Sequence, residues 1–70
     1  MMPLGLAPVD EESVIKKVGG NAETKKHLEN LGFVPGTVVR IVSEMSGNII
    51  VNVKESRVAV SKELAMKIFV

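Results

Sequence analysis

The sequence predicts a mainly β domain, a small five-stranded barrel with one short α-helix between its first two strands. Three observations carry that reading. Short runs rich in valine and isoleucine recur at close spacing through the second half of the chain, as expected of a compact, strongly bent barrel. One of them alternates strictly, with Ile49, Val51 and Val53 set against Ile50, Asn52 and Lys54, the period of a half-buried strand. Only one stretch, Asn21 to Leu31, has both the start and the stop of a sizeable helix.

Taken in order, residues 1–11 read as a loosely structured lead-in punctuated by Pro3, Gly5 and Pro8, and the domain proper as residues 12–70. Val14 to Val18 forms the first strand, ended by Gly19-Gly20. Asn21 caps the helix by accepting from a free N–H of its first turn, and Glu23 suits the positive end of the helix dipole. Leu28 and Leu31 share a thin apolar stripe with Thr24, so the helix lies against a barrel and does not build a helical core. Gly32 stands where a left-handed residue ends a helix, and Phe33 where it contacts Leu28. Val34-Pro35-Gly36-Thr37 then fits a type II turn.

From Thr37 onward the pattern is strand. Thr37 to Glu44 leads through Ser46-Gly47-Asn48 into Ile49 to Lys54. Glu55-Ser56 turns the chain into Arg57 to Val60. Ser61 caps a single helical turn over Lys62 to Ala65, and Ile68 to Val70 closes the domain. The expected core is Val14 or Ile15 with Val18, Leu28, Leu31, Phe33, Val39, Ile41, Ile49, Val51, Val53, Val58, Val60, Ile68 and Val70.

Composition narrows the function. Seventy residues make one domain, and a chain this short buries only about 60% of its unfolded surface. It has no cysteine, hence no disulfide and no thiolate metal site. The net charge is +1, with charges of alternating sign and only two aromatics, Phe33 and Phe69. That balance argues against nucleic acid, which calls for a basic patch and stacking platforms. No stretch approaches the roughly 20 apolar residues of a membrane span, and Met1 to Pro8 lacks the basic flank of a secretory signal. The expectation is a cytoplasmic protein without direct membrane insertion, whose membrane role, if any, comes through a partner.

The segment Leu28-x-x-Leu-Gly-Phe-x-Pro-Gly36 between helix and strand, with Ala59-Val60 and the ending Leu64-Ala-Met-Lys-Ile-Phe-Val70, resembles the FeoA family from about Ser13 to Val70. The resemblance implies an SH3-like barrel. It also implies a role beside FeoB, the membrane GTPase that transports Fe(II). Similar domains form the C-terminal part of iron-dependent repressors, so a metal-sensing domain and a metallochaperone that holds Fe(II) weakly stand as alternatives. Where the family often has arginines before the Leu-Gly unit, this chain has Lys25-Lys26, which keep the charge and lose the planar fork. Asp10-Glu11-Glu12 occupies a place where the family commonly has a glycine-containing turn.

Catalysis finds no constellation. The one histidine, His27, has no serine at helical spacing, and Gly19-Gly20 is not followed by the lysine-serine pair of a phosphate loop. No cofactor is implied, and the chain does not read as an enzyme. Glu23 and His27, four residues apart on one helical face, offer at most two ligands to Fe(II); the plainer reading is two solvated side chains. Protein contact is better served. Lys25, Lys26 and His27 on the helix, Val34 and Pro35 in its exit turn, and Ile50 and Phe69 on outward strand faces are the candidate contact residues. Val38 and Val42 flank Arg40 on one strand face. Exposed apolar clusters with polar rims mark interaction sites, although a small barrel also curls enough to bury part of both faces. Proline-rich peptides are excluded, since their groove needs aromatics and the chain has neither Trp nor Tyr.

Overall fold

The computed structural model describes all residues, Met1–Val70. A 3-10 turn at Leu4–Leu6 precedes β1 (Glu12–Val14), β2 (Lys17–Val18), α1 (Ala22–Asn30), β3 (Val38–Met45), β4 (Asn48–Val53), β5 (Ser56–Ser61), the short α2 (Lys62–Ala65) and β6 (Ile68–Phe69). The strands form two antiparallel sheets, one of four strands in the order β1-β3-β4-β5 and one pairing β2 with β6. The chain is thus mainly β, as expected. It has six strands in place of five, the ladders make two sheets and not one closed barrel, and α1 follows the second strand, not the first.

The difference arises within Val14–Val18. Ile15 and Val18 are both buried, and residues three apart cannot face the same side of one regular strand. The backbone turns between them. Ile15 donates to the Thr37 carbonyl and accepts from the Gly36 N–H, beside the large sheet, while Lys16 donates to the Phe69 carbonyl of β6. The run hands the chain from one sheet to the other.

The segment expected to be loose is also held. Met2 and Val70 exchange two backbone hydrogen bonds of 2.9 Å, Pro3 bridges Phe69, and Asp10 donates to the Ile41 carbonyl. Leu4 and Ala7 are buried in the core. Its prolines and glycine do not leave this segment free, because the 3-10 turn aims Leu4 inward and Gly5 passes close to Met66 and the Lys62 carbonyl.

Elsewhere local chemistry and outcome agree. Thr24 N–H donates to Asn21 Oδ1 at 2.8 Å and Leu64 N–H to Ser61 Oγ at 3.1 Å. At the end of α1, Phe33 N–H bonds the Leu28 carbonyl and Gly32 N–H the Glu29 carbonyl, with Gly32 at φ +104°; this double closure is the Schellman motif. Thr37 N–H closes the next turn on the Val34 carbonyl, with Gly36 at φ +91°. One core of fourteen residues joins both sheets and α1, with Leu31, Val58, Leu64 and Val70 packed on its edge. Val14 lies outside it and Ile15 inside. Leu4, Ala7 and Ala65 complete it.

Candidate surface sites and family membership

The candidate contact residues fall on three elements and form no single cluster. Lys25, Lys26 and His27 are exposed on α1, Val34 is half-buried and Pro35 exposed in the turn that follows. Ile50 is half-buried on β4, between its Cα partners Ser43 and Ala59. Phe69 is half-buried on β6, paired with Lys17 across the small sheet. Val38 is 48% exposed, and so is Val14, its partner across the β1–β3 ladder. The apolar surface of the large sheet therefore centres on Val14 and Val38, nearer its β1 edge than Ile50.

Glu23 and His27 stand in the first and last turns of α1 and are both exposed. No group of three or more His, Cys, Asp or Glu side chains converges as a metal site. A divalent ion at two exposed donors keeps most of its water, so this pair alone forms an unselective site.

The outer face of the four-stranded sheet carries a feature that sequence reasoning did not assemble. A bulge at Val42 shifts the register between Ile41 and Ser43, so that Ile41 pairs with Val51 and Arg40 with Asn52. Glu12, Arg40, Asn52 and Arg57 then lie in one row across all four strands. A concavity of about 440 Å3 opens here, lined chiefly by Glu12, Thr37, Val38, Arg40, Asn52 and Lys54. Every core position of β3 and β4 points the other way, so this face carries the polar row with Val14, Val38 and the half-buried Ile50 as its large apolar members.

Residues 2–70 match the FeoA domain family. A candidate Fe(2+) transport protein A of Methanocaldococcus jannaschii is 31% identical over all of this chain and 85% of its own length. The fold matches the crystal structure of an iron uptake regulatory protein, FeoA, with a TM-score of 0.87 at 25% identity, over 96% of this chain and 89% of that one. It also matches the zinc complex of FeoA from Stenotrophomonas maltophilia, described as a prokaryotic SH3 domain protein. There the TM-score is 0.85 at 27% identity, over 99% and 88% of the two chains. No helix is long and apolar enough to cross a membrane. From the helix stop at Gly32 to the closing strand, and across both sheets, this chain belongs to the FeoA domain family.

Proposed function

We propose that this protein is a cytoplasmic accessory or regulatory partner in ferrous iron uptake, acting through contact with the membrane Fe(II) transporter FeoB. The observation that carries the reading is the match of nearly the whole chain to the FeoA domain family, and the relative named for Fe(2+) transport points to the same process. The geometry is in keeping with a contact role. The core is apolar throughout, with no buried polar or charged side chain, and the distinctive chemistry lies on exposed surfaces. Two such surfaces are available, the Lys25-Lys26-His27 face of α1 and the outer face of the large sheet.

An amide NMR titration of the labelled protein with the soluble cytoplasmic domain of its cognate transporter tests this. Localised shifts on one of these faces are the expected result, and a spectrum unchanged at saturating domain would sink the reading. Replacing Lys25 and Lys26 together with glutamate, both exposed, weakens that binding with the fold intact if the helix carries the contact. A folded double variant of unchanged affinity removes the helix face. The same titration with anaerobic Fe(II) alone reads the carrier alternative at Glu23 and His27.

A further inference from the structure

We propose that the outer face of the four-stranded sheet is a docking groove for an extended acidic segment of a protein partner, held by Arg40 and Arg57 with Lys54 at the margin. The inference rests on the reading that this protein works by protein contact, and it names the surface and the chemistry of what binds there.

The chain has only two arginines, and both lie in one row of this face, on β3 and β5, with Asn52 of β4 between them. Two strand spacings put their Cα atoms about 10 Å apart, far enough for each to engage its own anion. Lysine is the commoner cation in this chain, with seven residues, so two arginines in one row single out the residue whose planar fork takes a carboxylate bidentately. Lys54 lines the same concavity from the turn after β4. Arg40 and Lys54 line the concavity against one carboxylate, Glu12, and Arg57 stands at the far end of the row, outside that lining, so cations outnumber the carboxylate in both the concavity and the row.

The valines give the groove direction. Val38 precedes Arg40 by two residues on the same outer face, and Val14 stands beside it at the same exposure. Side chains two apart along a strand repeat every ~7 Å. An extended partner crossing the strands obliquely, from Val14 and Val38 over Arg40 towards β5, therefore sets an apolar side chain on the valines while an acidic one, two residues away, meets Arg40. The partner chemistry is an apolar residue followed at the second position by Asp or Glu, with a further acid towards Arg57. A polyphosphate backbone suits this face less well. The Glu12 carboxylate closes one end of the row beside Arg40, and neither phenylalanine is on this sheet, since Phe33 is buried and Phe69 belongs to β6.

The test uses an eight-residue fluorescent peptide with glutamates at alternate positions and one valine two residues before a glutamate. Its control carries glutamine for every glutamate. The glutamate peptide is expected to shift amides of β1, β3, β4 and β5, and the control is not. Arg40→Gln and Arg57→Gln each weaken binding about tenfold, the loss expected for a charged hydrogen-bonded pair. Arg40→Lys weakens it several-fold although the charge is kept, and Glu12→Gln strengthens it about threefold. All three positions are exposed, and the amide spectrum of each variant checks its fold. Equal binding of the control, shifts confined to α1, or unchanged affinity of the folded arginine variants would each overturn the assignment. So would tighter binding of a single-stranded oligonucleotide through the same arginines, which would assign the face to nucleic acid. The peptide assay needs no transporter, so its failure removes this groove alone, whereas a failed titration with the transporter domain removes the proposed partner.

Discussion

Gly32 ends α1 with φ at +104°, a conformation that costs any residue with a Cβ. A methyl group there would also meet Val53 Cγ2 at 3.4 Å. Gly32→Ala is expected to destabilise the protein by about 1–2 kcal/mol, read as a lower midpoint in urea. Its neighbour Phe33 is wholly buried, and Phe33→Ala should cost about 3–5 kcal/mol. Against the 4–10 kcal/mol or so expected for a domain of this length, that loss brings the chain close to unfolding at 37 °C. The opposite sign is available at Ser46, which holds φ +34° beside Gly47 at +84°. Both central residues of this hairpin turn are left-handed, the condition that favours Asn-Gly. Ser46→Asn should therefore raise stability by about 0.5 kcal/mol. These residues were legible in the sequence, because a helix stop and a tight turn are short-range chemistry: the partners lie within six residues of one another.

Elements depend on longer-range information, and legibility falls accordingly. Counting back from the turn at Ser46-Gly47 through a regular ladder would set Arg40 opposite Val53 and Ile41 opposite Asn52. The bulge at Val42 moves each by one place. The alternation of Val39 and Ile41 alone was enough to assign them to the core, but the row Glu12–Arg40–Asn52–Arg57 exists only in the bulged register, and no residue type announces a bulge there. The lead-in hid for a related reason. Pro3, Gly5 and Pro8 are loop residues by local propensity, and what holds them is Val70 and Phe69 at the other end of the chain. Leu4 is 1% exposed, so Leu4→Ala is expected to cost about 2–5 kcal/mol. Truncation before Val9 should cost more, because it removes Leu4, Ala7 and the paired bonds to Val70 together. A truncated chain as stable to urea as the full one would show that the segment is only draped on the core.

The molecule as a whole separates what holds it together from what it presents. No charged or polar side chain is buried, so the free energy of folding comes from apolar packing and backbone ladders, on which salt screening acts weakly. The face proposed to bind carries its energy in Arg40, Arg57 and Lys54 at the surface, where screening is strongest: the Debye length falls from about 10 Å at 0.1 M salt to about 3 Å at 1 M. Folding and binding should therefore part company as sodium chloride rises. Between 20 mM and 500 mM the thermal midpoint is expected to move by no more than about 2 °C, while affinity for the acidic peptide falls by about an order of magnitude. Differential scanning fluorimetry and fluorescence anisotropy on the same samples measure the two together. A midpoint that drops steeply with salt would mean that surface ion pairs contribute to the fold. Affinity that persists at 500 mM would move the binding energy from the arginines to the exposed pair Val14 and Val38.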